Sequence, residues 1–419
     1  MAIKKIRVTN FKSFKDSQEV ELGKFNVLIG ANASGKSNFV QFFQFIRDII
    51  NHGLDNALSM QGGIEYLRNI SIGADENFSL KLISDQKFNL VVGRRRTKES
   101  LIGMKTYETT YEFALKFKKR GVGFEIAEDK LTRKCNFIKL EEQKKGIEEK
   151  EKLGEGEIVI SRFDGEVKID LHKPEGIPIK EEDIFSPFFR KRNLPPNTLL
   201  IQEGMSFFLS RKEVFGDISI YDFDPKLPKK ATPIVGKAEL EEDGSNLSIV
   251  LKNIIEHKEK KRKLFNLVKD LLPFIEDLDV EKFADKSLLF TLREIYFEKK
   301  VPASLISDGT INITALIIAL YFEEKLLTII EEPERNIHPY LISKVIEMMK
   351  DASQNKQIIV TTHNPEVVKY AGLENILLIS RDKEGFSTII RPADKEEVKT
   401  FLKNEIGVEE LYVQNLLEI

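Results

Sequence analysis

A chain of 419 residues with one cysteine, Cys135, and no tryptophan has no disulfide framework and no CxxC pairs for zinc. Its five histidines are scattered and form no HExxH pair, which argues against a dedicated transition-metal site. Net charge is nearly absent too: 65 Lys and Arg against 67 Asp and Glu leave -2. No global field therefore draws the whole molecule to nucleic acid or to an acidic membrane. Any DNA contact has to come from a local patch. No charge-free run of about 18 residues is present, and the opening MAIKKIRVTN lacks the apolar stretch of a signal peptide. The expectation is a cytoplasmic protein with no membrane partner. What is present is 41% apolar residues, enough to bury a core across one large or two ordinary domains.

The two ends of the chain share an α/β rhythm that the middle lacks. Ile6 and Val8 alternate with polar neighbours, Phe25 to Ile29 is a short apolar strand, and Phe39 to Ile50 is an apolar-rich helix. After residue 286, strands at Leu288 to Arg293, Leu326 to Glu331, Gln357 to Thr361 and Asn375 to Ser380 alternate with helices at Ser307 to Phe322 and Pro339 to Lys350. In between, Leu140 to Glu157 is nearly all charge and glycine and reads as a solvated loop or hairpin tip. Asn246 to Leu272 reads as one long amphipathic helix. Heptads do not persist, so a long coiled coil is excluded. The expected division is an N-terminal lobe (1–85), an inserted β-rich arm (86–215), a helical lever (216–285), a C-terminal lobe (286–392) and a helical tail (393–419).

The sharpest local pattern is Gly30-Ala31-Asn32-Ala33-Ser34-Gly35-Lys36-Ser37, a GxxxxGK[ST] match that follows an apolar strand and opens a helix. Gly30 and Gly35 let the backbone turn its N–H groups inward, an anion nest at the positive end of the helix. Lys36 reaches the β- and γ-phosphates of a nucleotide, the Ser37 hydroxyl ligates Mg²⁺, and Asn38 closes the segment. The competing reading, a chance glycine-rich turn, is disfavoured by the strand and helix on either side.

Three further segments complete a site. The strand ending in Glu331-Glu332-Pro333-Glu334 would deliver its acids to a ligand crevice, Glu331 to the Mg²⁺ shell and Glu332 to polarise the attacking water. An acidic turn after a core strand is the bland alternative. Ser307-Asp308-Gly309-Thr310 opens a helix and is either a plain N-cap or a second phosphate receptor. One nucleotide has a single γ-phosphate, already served by residues 30–37, so a second receptor would serve a nucleotide held by another subunit. His363, after Thr361-Thr362, stands where it could touch the γ-phosphate or the water.

With these residues in order, the chain resembles the ABC-type ATPase heads of the RecF/SMC/OLD-like group, in the branch of stand-alone AAA-family ATPases (AAA_21 and AAA_15). Ile6 to Phe14 is similar to the group's first strand, Gly30 to Asn38 to its Walker A, and Leu305 to Thr310 to its signature loop. Ile329 to Glu334 is similar to its Walker B, Thr361 to Pro365 to its switch histidine, and Asn336-Ile337-His338-Pro339 to the segment in the D-loop's place. The likeness spans roughly residues 1–85 and 215–390. It implies an α/β P-loop NTPase sheet of the ABC/SMC-head type split by a large α+β insertion, ATP and Mg²⁺ as ligands, and a head-to-tail homodimer or higher homo-oligomer.

Three departures from the group matter. Glu331 stands where transporters usually carry Asp. The Mg²⁺-sensing glutamine has only Gln61 as candidate, beside a plain loop role. About 56 residues follow His363, too few for the TOPRIM nuclease of OLD proteins. The expected function is an ATP-driven regulator of a separately encoded effector, such as a TOPRIM, HNH or RloB-like nuclease in phage defence. One alternative is a RecF-like DNA-binding repair ATPase gripping phosphates through Arg94-Arg95-Arg96-Thr97-Lys98 or Lys258 to Lys263. The other is a scaffold that binds ATP with negligible turnover.

Overall fold

The computed structural model describes residues 3–92, 101–119, 123–143, 146–185, 193–202, 215–283, 286–403 and 407–418. They group into two units, each built from three stretches of chain. One unit takes Met1–Leu22, Ser37–Asp217 and Arg381–Ile389; the other takes Gly23–Lys36, Ile218–Ser380 and Ile390–Ile419.

The first unit is organised on an antiparallel sheet in the order Glu166–His172, Gly146–Phe163, Phe124–Gln143, Leu101–Phe117, Phe78–Ser84, Lys5–Phe11 and Phe14–Asp16. The alternation expected at its start holds, with Ile6 and Val8 buried and Arg7 exposed. Phenylalanines of the helix Lys36–His52 fill the inner face: Phe42 meets Phe11 edge-on at 5.9 Å and Phe45 meets Phe78 at 5.8 Å, the offset geometry that ring quadrupoles favour.

Of its two readings, solvated loop or hairpin tip, the stretch Leu140 to Glu157 takes the hairpin. Its described residues belong to two paired strands, with Leu140 beside Glu149 and Lys134 beside Glu157. Its charges form exposed pairs along the ladder, such as Lys150 with Glu141 and Lys152 with Glu155. A strand with polar residues on both faces gives no period-two signal to read. The basic run Arg94 to Lys98 lies outside the described residues.

The second unit is organised on parallel strands in the order Ile218–Tyr221, Leu327–Glu331, Gln357–Thr361, Phe25–Ile29 and Ile376–Arg381. The strands Phe25–Ile29 and Gln357–Thr361 are buried along their whole length, which is why they read as unbroken apolar runs. Their register puts Glu331 beside Thr361 and Thr361 beside Leu28, so the C-terminal ends coincide. Val27, Ile29, Leu316, Ile330, Val345 and Val360 share one core, each worth roughly 1.5–3 kcal/mol on burial. A smaller antiparallel sheet joins Thr232–Pro233, Ser287–Glu294, Ile275–Phe283 and Val301–Pro302.

The single long helix expected over Asn246 to Leu272 is two helices, Leu247–Ile255 and Lys258–Leu271, divided at Glu256 and an extended His257. From Glu256 to Lys263 the sequence offers eight consecutive polar residues. Glu256 and His257 are exposed and bury nothing that would hold a turn there, while the lysines from Lys258 onward are already helical. Among the described residues no helix is long and apolar enough to cross a membrane.

Candidate active site

Gly30 follows the buried strand Phe25–Ile29 at φ 149, and a Cβ there would lie 2.1 Å from the Ile379 carbonyl oxygen. No side chain fits. Ala33 at φ 62 and Gly35 at φ 121 complete the turn into the helix Lys36–His52. Ala31, Asn32 and Ala33 form an exposed rim while Ser34 is buried beneath it. Lys36 Nζ folds back over the loop, donating to the Gly30 and Ala31 carbonyls at 2.8 and 3.0 Å. Burial lowers its pKa, and the Glu332 charge opposes that. Ser37 and Asn38 enter the helix, and Asn38 Nδ2 donates to Ser13 Oγ at 2.7 Å.

The acids stand at the end of the strand Leu327–Glu331. Burial, and after it the charges of Asp222 and Glu332, push Glu331 up to about 7. Glu332 takes φ 43, a left-handed conformation that costs a non-glycine residue about 1–3 kcal/mol and is typical of functional sites. Its N–H donates to the Thr361 carbonyl at 2.9 Å. Arg335 donates to Glu332 Oε2 at 3.0 Å, and His363 Nδ1 lies 3.0 Å from Oε1. Burial alone would raise the Glu332 pKa; the Arg335 hydrogen bond and His363 outweigh it and hold the carboxyl below its usual range.

Two neighbours of the acids escaped the sequence reading. Asp222, at the end of the strand Ile218–Tyr221, accepts from Arg335 at 2.9 Å. The rule that acids gather at C-terminal strand ends would have found it. Arg335 itself lies three residues beyond Glu332 across a tight turn, the one signal available. Glu334, quoted in the motif without a role, is largely buried, and burial raises its pKa. It accepts the Thr362 hydroxyl through one oxygen, and the other has no hydrogen-bond partner among the described residues.

Ser307 is exposed and caps the helix Asp308–Tyr321, accepting from the Thr310 N–H at 3.1 Å and sharing a hydrogen with Thr310 Oγ1 at 2.8 Å. Asp308 pairs with Lys229. A Cβ on Gly309 would lie 2.6 Å from the Asn336 carbonyl oxygen, so the glycine lets this helix press against residues 336–337. Asn312 Nδ2 donates to the Arg335 carbonyl at 2.7 Å. In the other unit, Gln61 ends the helix Leu54–Met60 and is buried. It lines a cavity of about 680 Å³ with Lys12, Ser13, Asn38, Arg68 and Phe386.

Among the described residues no group of three or more His, Cys, Asp or Glu could hold a metal ion unaided. A Mg²⁺ bound with a nucleotide needs only one or two carboxylates, because phosphate and hydroxyl oxygens complete its shell. Glu331 fits that need: it is a hard oxygen donor whose negative charge is poorly accommodated by its surroundings, and a divalent cation would neutralise it.

The family model described as "AAA domain, putative AbiEii toxin, Type IV TA system" matches residues 25–369. Structural maintenance of chromosomes protein 3 of Caenorhabditis elegans is 46% identical over 48 residues, 11% of this chain and 4% of that protein. The chain thus matches only a small fraction of that relative's length. Among solved structures, an Smc head bound to the C-winged helix domain of ScpA is 14% identical with a TM-score of 0.49, covering 93% of this chain and 97% of that one. An Smc head from Pyrococcus furiosus with an extended coiled coil, bound to the C-terminal domain of ScpA, gives 14% and 0.49 over 96% and 99%. The SMC head domain from Thermotoga maritima gives 14% and 0.39 over 93% and 99%.

Proposed function

Because the chain belongs to the AAA_21 family of ABC/SMC-like AAA ATPases, we propose that it binds ATP with Mg²⁺ and hydrolyses it in a site completed by a second copy placed head to tail. Closing and opening of that pair gates a separately encoded effector, a nuclease of anti-phage defence. One observation carries the ATPase reading: strand ends in register draw the Gly30 loop, the Glu331–Glu332 pair and Thr362–His363 to one edge of one sheet. The effector part leans on the family description, which sets an AAA domain beside a toxin–antitoxin system.

In this reading the loop N–H groups and Lys36 hold the β- and γ-phosphates. Ser37 and Glu331 would hold Mg²⁺, with Gln61 as its sensing ligand; the ion, when bound, supplies charge neutralisation at the phosphates. Glu332 takes the proton of the attacking water on its carboxylate, and His363 keeps that carboxylate oriented from Oε1. The N–H groups of Gly309 and Thr310, beside the Ser307 hydroxyl, receive the γ-phosphate of a nucleotide bound by the partner copy.

Complementation tests the shared site. Lys36→Ala and Ser307→Arg are each expected to be inactive alone, Lys36→Ala without ATP binding and Ser307→Arg with it. An equimolar mixture should regain about a quarter of wild-type turnover, since half the dimers are mixed and each mixed dimer has one intact site of two. A mixture as inactive as its parts, or a Ser307→Arg protein that hydrolyses normally, rules the shared site out. For the effector, a pull-down from the native host should retain a nuclease; repeated recovery of the ATPase alone would count against it.

A further inference from the structure

We propose that Arg335 is a positioning residue that ties the aim of Glu332 to the placement of the helix opened by Ser307. The inference rests on the reading of Glu332 as the base in ATP hydrolysis. A single guanidinium spans two carboxylates, with NH1 2.9 Å from Asp222 Oδ1 and NH2 3.0 Å from Glu332 Oε2. A planar fork can fix two acids at a set separation, which the single ammonium of a lysine cannot. The main chain before Asp222 is fixed beside the acids, because its strand runs parallel to and paired with Leu327–Glu331, while its carboxylate is exposed. Glu332 needs such a guide: its positive φ turns its side chain out of line with the strand it follows.

The backbone of the same residue is held by a different element. Asn312, buried in the helix Asp308–Tyr321, donates to the Arg335 carbonyl at 2.7 Å. One turn earlier Gly309 presses on the Asn336 carbonyl so closely that any side chain would separate them. Arg335 is therefore gripped by this helix through its main chain while its side chain grips the base. A small shift of the helix, as a partner-held nucleotide settles on Ser307, moves the Arg335 carbonyl and with it Glu332 Oε2. Misplacement of a reacting group by about 1 Å costs on the order of a hundredfold in rate, so a small movement suffices to gate hydrolysis.

Steady-state ATPase kinetics of the full chain test this. Arg335→Ala should lower kcat about 10- to 100-fold while KM for ATP stays within about twofold, because no contact with the nucleotide is involved. Arg335→Lys should recover only part of the loss, and Asn312→Ala should also lower kcat, through a residue remote from the chemistry. Wild-type kcat in Arg335→Ala, a loss seen in KM instead, or full rescue by lysine would each overturn the proposal. If Arg335→Ala does not fold by thermal melting, Asp222→Asn and Asn312→Ala face the same kcat criterion. Glu332→Gln separates the two levels. Wild-type turnover in that variant removes the base assignment and the proposal with it; an inactive Glu332→Gln beside a fully active Arg335→Ala rejects the positioning role alone.

Discussion

Glutamates crowd two regions of this molecule and behave differently in each. Along the strands Phe124–Gln143 and Gly146–Phe163 they are exposed and pair with lysines, Glu141 with Lys150 at 3.2 Å and Glu155 with Lys152 at 2.6 Å. Water and salt screen such pairs. At the strand ends of the second unit, Glu331, Glu332 and Glu334 are withdrawn from solvent to differing degrees, and two of the three are pushed up while Arg335 and His363 pull the third down. Residue type is the same in both places. Burial and the choice of partner decide which charges become chemistry.

The contrast would break if Glu331 titrated like an exposed carboxylate of the hairpin. With its folded-state value raised to about 7, a proton competes with the cation below that pH. Apparent Mg²⁺ affinity, measured with a non-hydrolysable ATP analogue, should then fall by up to about tenfold per pH unit as the pH drops below neutrality. Glu331→Gln should weaken binding and flatten the profile. A flat profile in the wild-type protein would place Glu331 among the ordinary carboxylates.

An exception inside the first unit sharpens the same contrast. Asp129 is buried in the strand Phe124–Gln143, where Tyr111 Oη and the Leu200 N–H donate to its two oxygens at 2.9 and 2.8 Å. Burial raises it to about 7 from 3.8. Between those values the folded chain holds a proton that the unfolded chain has lost, so stability is fullest below the lower value and declines as pH rises toward the upper. A decline of about 4 kcal/mol is expected. Urea denaturation across this window checks it, with Asp129→Asn as the flatter control; stability that rises with pH for the wild type relative to that control would be the wrong sign. The smallest effect belongs to Lys150→Ala and Lys152→Ala, which should leave the melting temperature unchanged within error. A clear drop in either would mean that exposed pairs hold this hairpin together.

The parallel strands were legible in the sequence because burial on both faces leaves unbroken apolar runs, and the phosphate loop because its glycines are fixed by local turns. Ser307 was legible as a helix start for the same local reason. The contact of Arg335 with Asp222 was not, since it joins residues more than a hundred positions apart, although Asp222 stands at a strand end where acids gather. The charged stretch was legible only as a loop or hairpin tip because polar residues on both faces erase alternation, and the break at His257 was hidden because apolar residues on either side stay in helical phase. One boundary between the two units falls between Lys36 and Ser37, inside the sharpest motif of the chain.

Lys36 already satisfies two carbonyls of its own loop. The ammonium is therefore already held over the loop that is proposed to take the phosphate. An arriving phosphate swaps one set of partners for another and leaves little chain to freeze, so capture should proceed with only a small ordering penalty.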